Sequence, residues 1–429
     1  MKVNERGYLW TKWTALTSWT GNWETTHRRG EWTVLIAGTL GVFYPLSAAR
    51  RSSKLRDIVK RTFIFSLLMA SLTFSSHAAE GFYIGTYTAP GKSQGIYQGE
   101  LDESTGEIKL GSLAVESSNP SFLALHPSGR FVYAVNEIGK GTVSAFAVQA
   151  DGSLREMNRQ SSLGAGPTHL SLDHAGRNAL AANYGTGEVA VLPVKDDGSL
   201  GEATGLLEPL GKGSKPANVH PRAHSVYVSG DDRFVYSCDA GIDRVFVNRL
   251  EAGKGAMEPA DPPFVSSAPG AAPRHLAFGN GAKFVYVLLE AGNGIIVYAR
   301  DADTGKLSEI QTISTLPADF HGKDATAEIE VHPNGQFLYC SNRGLNTIAG
   351  FAIDAASGKL TALGQTPTQG ANPRFFTIDP SGKWLLAANQ SANNIVVFRI
   401  DPESGALTPA GHSMECHQPV CVVFQHAQR

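Results

Sequence analysis

The chain is poor in cysteine: Cys238, Cys340, Cys416 and Cys421 are the only four in 429 residues. None forms a CxxC pair, so no zinc site is expected. There is no excess of charge of either sign, with 37 Lys+Arg against 39 Asp+Glu. A polyanion-binding surface, and nucleic acid as a partner, are therefore set aside. The sequence has no HExxH, no GxGxxG ahead of a helix, no Gly-x-Ser-x-Gly elbow and no DGSGS calcium loop. Neither a metal nor a cofactor is expected, and a metal-free attack by water fits best. Tryptophan almost vanishes after the start: Trp10, Trp13, Trp19, Trp23 and Trp32 are five of the six.

The first eighty residues also lack the turn rhythm of the rest. Residues 54–61 are basic, 62–74 are mostly apolar, and Ser76-His77-Ala78 is a small-residue end. That is the three-part pattern of an export signal, read over residues 53–78 with cleavage after Ala78. Its apolar run is short for a membrane span. A signal normally opens a chain, so residues 1–52 read as a doubtful N-terminal extension from a misplaced start. The alternative is a membrane-proximal extension that uses the apolar run 34–49. Export implies a periplasmic or secreted domain over 79–429, with no stable membrane association after cleavage. In that compartment Cys416 and Cys421 either form a local disulfide or remain free, half-buried thiols.

What the chain does have is glycine, 46 residues, and a recurring phrase. "HPSGRFVYAVNE", "HPNGQFLYCSNR" and "DPSGKWLLAANQ" are three of six copies, which begin at His126, Asp173, Ser229, Gly279, His332 and Asp379. Successive starts lie 47, 56, 50, 53 and 47 residues apart, the period of a repeat architecture. Within a unit, short apolar runs alternate with Gly-bearing turns. The stretch from Pro167 gives one strand ending at "DHAG", a second through "NALAANY", a third at "EVAVLPV" and a turn "DDGS" to a fourth. Four antiparallel strands make a propeller blade. A second turn recurs seven times, at Gly106, Gly152, Gly198, Gly255, Gly305, Gly358 and Gly405. Seven third-to-fourth turns against six first-to-second turns predict an all-β, seven-bladed propeller. In it "GFYIGTYT" is a second strand, and "PVCVVF" supplies the missing first strand of the same blade.

The Gly turn joins first and second strands at one rim, so the start of the first and the end of the second meet at the other. Five residues before each phrase stand Ser121, Thr168, His224, Arg274, Ala327 and Arg374. At the second-strand ends stand Glu137, Tyr184, Ala240, Glu290, Arg343 and Gln390. These columns vary while the phrase stays apolar, so they point to the channel mouth. His224, Arg274, Glu290 and Arg343 come from consecutive blades and suit a small anionic ester. An Arg grips carboxylate or phosphate through two parallel hydrogen bonds, and Glu290 or His224 activates water. His169 and Asp239 are further substrate-binding candidates. Each has a plainer reading. Arg274 and Arg343 pair with Glu290 and Glu137 between blades, or His224 bonds a backbone carbonyl. His169 and His275, one position later, pack on the other strand face. Asp239, with Asp243 and Arg244, forms a loop ion pair. Asn183 and Asn342 bond loop backbone in tight turns.

The phrases "YIGTYT", "PSFLALHPSGRFVYAVNE", "PTHLSLDHAGRNALAANYGTGEVAV", "HPRAHSVYVSGDDRFVYSCDAGIDRV", "HPNGQFLYCSNRG" and "PRFFTIDPSGKWLLAANQSANNIVVFRID" resemble the seven-bladed lactonase family, that of propeller-type 6-phosphogluconolactonases. They run over nearly everything from Gly81 to the end. The family includes a fungal carboxymuconate lactonizing branch, whose active site is similar to His224, Arg274, Glu290 and Arg343. The match is strongest at "AHS", "PRHL" and "NRG". At Glu290 "VLLEAGN" departs from the family's usual Asn-Glu pair.

The resemblance implies hydrolysis of 6-phospho-D-glucono-1,5-lactone to 6-phosphogluconate. Arg274 and Arg343 then hold the phosphate or polarise the carbonyl, and Glu290 or His224 takes a proton from water. The expected partner is a small sugar lactone and the expected state a monomer. Export favours an unphosphorylated aldonolactone instead. A muconate-type cycloisomerase and a non-enzymatic secreted binding platform are the other readings.

Overall fold

The computed structural model describes residues 79–208, 220–279 and 281–425, with four short strands in the first 34 residues. The chain divides into two compact units, Met1–Ser76 and His77–Arg429. In the first unit Lys2–Val3 pairs with Leu9–Trp10, and Thr25–Arg28 with Glu31–Val34. The signal read over 53–78, and the rest of the extension before it, lie outside the described residues.

The second unit is the predicted propeller. Its described residues form seven four-stranded antiparallel sheets. Six are built from consecutive strands. The seventh runs Pro419–Phe424, Ala79–Thr86, Gly95–Asp102, Ile108–Glu116, so the last strand completes the sheet that the first begins. Pro419 sits opposite Thr86 and Phe424 opposite Phe82. Closure therefore occurs where the turn count placed it, through one sheet shared by the first and last strands of the unit. One blade departs from the expected plan. After "DDGS" the chain makes only an isolated Val194–Leu200 bridge before a short outer strand, Gly205–Leu207.

Burial follows position in the blade. Second strands such as Phe131–Asn136, Phe234–Asp239 and Phe337–Asn342 are buried at every residue. Packed on both faces, they read as unbroken apolar runs. Outer strands such as Leu154–Ser161 bury one end and expose the rest.

The phrase recurs because it staples each blade to the next. Its tyrosine donates to the carbonyl of the following blade's turn glycine. Tyr83 reaches Gly152 at 2.9 Å, Tyr133 Gly198 at 2.9 Å, Tyr236 Gly305 at 2.8 Å, Tyr286 Gly358 at 3.1 Å and Tyr339 Gly405 at 2.8 Å. Trp384 does the same with its indole N–H, to Glu103 O at 3.0 Å. The phrase's Phe or Trp covers the glycine itself. A Cβ on Gly358, at φ +71°, would lie 2.4 Å from Phe284. At the opposite rim, Asn183 and Asn342 donate to Ser162 O at 2.8 Å and Thr315 O at 3.1 Å in the preceding blade, as expected for loop-bonding residues.

Gly358→Ala should lower the urea midpoint by about 2–4 kcal/mol equivalent. Left-handed backbone contributes roughly 1–2 and displacement of Phe284 the remainder. Gly335→Ala is the control: φ is also +71°, with no atom near its Cβ, so only the backbone cost should remain.

All four cysteines are buried free thiols. No Cys416–Cys421 bridge forms, and Cys421 Sγ instead accepts from Leu123 N at 3.4 Å.

Candidate active site

Most innermost strands begin irregularly. In six of the seven the register to the second strand slips near the start: Pro167/His169, Ala223/Ser225, Pro273/His275, Thr326/Ile329, Pro373/Phe375 and Pro419/Cys421. The residues inside these bulges are Thr168, His224, Arg274, Ala327 with Glu328, Arg374 and Val420. A bulge breaks strict in-out alternation and re-aims side chains. Proline precedes it in four of the six, where a strand start can spare an N–H. The result is a recess of about 250 Å3, counted with its open mouth. Its wall includes the expected Ser121, Thr168, His224, Arg274 and Arg374. Its floor includes Phe122, His275, Glu328 and Phe375, one position later on each strand.

Arg274 is the most confined cation, only 2% exposed. Its Nη1 donates to Ala327 O, and its Nε has no partner. Burial, then the like charges of Arg343 and Arg374, push its pKa down to about 9. It is still charged at neutral pH and would welcome an anion. His224 is buried beside it with Nδ1 unpartnered, so the expected bond to a backbone carbonyl is not made at that atom. Its ring sits 5.4 Å from Tyr184 and 5.1 Å from His275. Burial, then Arg274, holds its pKa well below the usual histidine range, so it is a neutral base.

Glu290 and Arg343 are joined to each other. Arg343 Nη2 donates to Glu290 Oε1 and, at 3.0 Å, to Thr326 O, while Nε reaches Ala325 O at 3.2 Å. This is the plainer blade-to-blade reading of that arginine. Burial works to raise the Glu290 pKa, but the charges of Arg274 and Arg343 outweigh it and leave it lowered. Ionised and paired, the Glu290 carboxylate is a weakened proton acceptor. Neither member lines the recess, although both act electrostatically on Arg274 within it.

The two remaining candidates fall elsewhere. His169 packs between Phe122 and Tyr227, with centroids at 4.1 and 4.6 Å, and its Nδ1 accepts from Val226 N at 3.3 Å. It makes packing contacts there and does not line the recess. Asp239 caps a turn: Oδ1 accepts from Arg222 N at 2.9 Å, Gly241 N at 2.8 Å and Ile242 N at 3.1 Å. It is absent from the recess wall. Burial raises its pKa to about 6.

Four further groups line the recess, His275, Glu328, Arg374 and Tyr87, and of these only Arg374 belongs to the column predicted for the mouth. His275 was assigned to packing, yet it lines the recess. Its Nδ1 lies 3.0 and 3.1 Å from the two oxygens of Glu328. Glu328 sits one place after Ala327 and was hidden by the assumption of alternation. Arg374 donates to Tyr87 OH at 3.0 Å, and Tyr87 in turn donates to Glu137 Oε2 at 2.8 Å. Arg374 carried a readable signal, since "NPRFF" repeats the Pro-Arg of "APRHL".

Residues 81–424 match the family model described as lactonase, 7-bladed beta-propeller. A 6-phosphogluconolactonase of Bacillus subtilis (strain 168) is 35% identical over 299 residues, covering 69% of this chain and 84% of the relative. One from Cronobacter sakazakii is 32% identical over 294 residues, 68% of this chain and 84% of the relative. The solved structure of the Pseudomonas aeruginosa periplasmic gluconolactonase PpgL superposes with a TM-score of 0.76 at 34% identity, covering 81% of this chain and 99% of that one. The bulged inner strands thus belong to a ring whose relatives carry lactonase names, and the chain is a member of the seven-bladed β-propeller lactonase family.

Proposed function

We propose that the protein hydrolyses a six-carbon sugar-acid 1,5-lactone, with 6-phospho-D-glucono-1,5-lactone as the leading substrate. The observation that carries this is an unsaturated buried arginine beside a neutral histidine with a free ring nitrogen, both lining one open recess. A lactone carbonyl against Arg274 is polarised, and the oxyanion of its tetrahedral intermediate meets a fixed positive charge. His224 takes the proton from attacking water. Arg374, with Arg343 nearby, favours the anionic end of the substrate or product. Glu290 keeps Arg343 oriented and is the alternative base.

A second reading has its own support. The export pattern over 53–78 would remove the protein from the compartment where sugar phosphates are made. Cleavage after Ala78 would leave the strand Ala79–Thr86 whole. The relative PpgL bears the name periplasmic gluconolactonase. On that reading the substrate is the unphosphorylated lactone, and the protein is periplasmic.

Acid release from the 6-phosphorylated lactone, glucono-1,5-lactone and muconolactone, against spontaneous hydrolysis, tests both. A preference of tenfold or more in kcat/KM assigns the substrate. No acceleration of any lactone sinks the enzyme reading. His224→Gln should cut kcat about a hundredfold. In the wild type, kcat should stay flat as pH falls from 7 through about 6.5, the ordinary histidine pKa, because His224 titrates well below it.

A further inference from the structure

Ring opening needs a proton as well as a base. When the tetrahedral intermediate collapses, the C1–O5 bond breaks, and O5 leaves as a hydroxyl only if it is protonated. The groups discussed so far do not supply that proton: His224 receives one, and Arg274 and Arg374 serve as charges. Two buried titratable groups in the recess floor have no role in the mechanism above.

Glu328 and His275 come from adjacent blades and meet at 3.0 and 3.1 Å through Nδ1. Glu328 Oε1 also accepts from Ile329 N at 3.0 Å, and Glu328 N donates to Ser341 Oγ at 3.0 Å, which fixes the residue in place. The other ring nitrogen of His275, Nε2, is buried without a partner. We propose that Glu328 and His275 form a proton relay that delivers a proton to the leaving ring oxygen; this rests on the lactonase reading above. The Glu328 O–H passes its proton to Nδ1 as the Nε2 proton passes to O5. Water's oxygen has by then bonded to C1, and its proton is on His224. The His224 ring, 5.1 Å from His275, returns its proton to the pair through the recess. The new carboxylic acid ionises into solvent, so lactone and water give hydroxy acid with nothing left over.

The charge state suits the task. Burial pushes Glu328 up to about 8 against the opposing charges of Arg274 and Arg374. Tyr227 and Cys421 are also close enough to act on it or be acted on by it. Burial, then Arg274 and Arg374, holds His275 well below the usual range, with Glu290 opposing and Arg343 reinforcing. The neighbouring ring of His169 is likewise held neutral by burial. At neutral pH the pair is therefore a protonated carboxyl hydrogen-bonded to a neutral imidazole. It loses donor capacity as pH rises through about 8.

The test uses the full-length protein with Glu328→Gln, His275→Gln and the double variant. Each single variant should lose about 10–100-fold in kcat, with KM within threefold. The double variant should lose no more than either single, since the two act as one unit. The fall in wild-type kcat through about pH 8 should vanish in Glu328→Gln. Independently of turnover, a protonated-carboxyl infrared band at pH 7 should titrate away in the wild type and be missing from Glu328→Gln. Folded variants with wild-type kcat, multiplicative losses, or a surviving alkaline limb would overturn the relay and leave the lactonase reading intact. A wild type that opens no lactone would overturn both.

Discussion

Arg274→Met should abolish most lactone turnover while raising the stability of the fold. The activity loss is expected to be about a thousandfold in kcat/KM. Removing one donor from a developing oxyanion costs about 10²–10³, and the anionic product end loses a charge partner. The stability gain has the opposite sign from that of most buried substitutions. A guanidinium only 2% exposed, with an unpartnered Nε and like charges beside it, is held in an unfavourable place. The sign follows from linkage. The folded protein binds this proton more weakly than the unfolded chain does, with a pKa of about 9 against the much higher ordinary arginine value. The penalty is therefore fully present below about pH 9 and is relieved only as pH climbs from there towards the ordinary arginine range. At pH 7 Met, of similar length, should escape it. A urea series at pH 7 on both proteins measures the difference, and a lower midpoint for the variant would contradict the account. Arg343→Met is the informative contrast. It strips Glu290 of its hydrogen-bonded ion partner and should destabilise, because a partly buried carboxylate then keeps only the more distant charges of Arg274 and Arg374. Activity bought with local instability is the usual trade at a binding site.

Much of this architecture is legible in the residues, for a reason the structure makes explicit. "FVY" repeats because Phe covers the next blade's glycine and Tyr bonds its carbonyl. A contact made once per blade must be written once per blade. Closure was countable for the same reason, since a shared blade leaves one kind of turn in excess. The mouth column was legible through its fixed offset from the phrase. The floor column was not. Strict period-two reasoning places His275 and Glu328 on the far face, and the bulge at Pro273/His275 and Thr326/Ile329 returns them to the recess. Asp239 is the reverse case. It stands at a second-strand end where its chemistry suggests function, but three backbone amides occupy its Oδ1. Turn capping of this kind, here through Oδ1 alone while Oδ2 stays buried without a partner, is invisible until the loop geometry is known.

Truncation after Gln418 should leave no soluble, folded monomer. The removed strand is small, but its side chains are almost wholly interior: Val420, Cys421, Val422 and Phe424 are each less than 7% exposed. Burial of such side chains contributes about 1.5–3 kcal/mol each, so together they approach the roughly 5–15 kcal/mol stability of a typical domain. The loss also uncovers the paired edge of Ala79–Thr86, an invitation to aggregate. Phe424→Ala is the graded version. Its ring meets Phe82 at 5.7 Å, and about 3–5 kcal/mol should be lost. Function should fail before the fold does in this variant. Tyr87 directly follows the strand that Pro419–Phe424 clamps, and its N–H donates to Gln418 O at 3.2 Å. From there its hydroxyl ties Arg374 of one neighbouring blade to Glu137 of the other. Loosening the closure therefore releases a recess wall as well as a sheet. In urea, Phe424→Ala should lose lactone turnover at a lower concentration than it loses its far-UV signal, whereas the wild type should lose both together. Coincident losses in the variant would mean that the closing blade carries stability alone and has no part in holding the site.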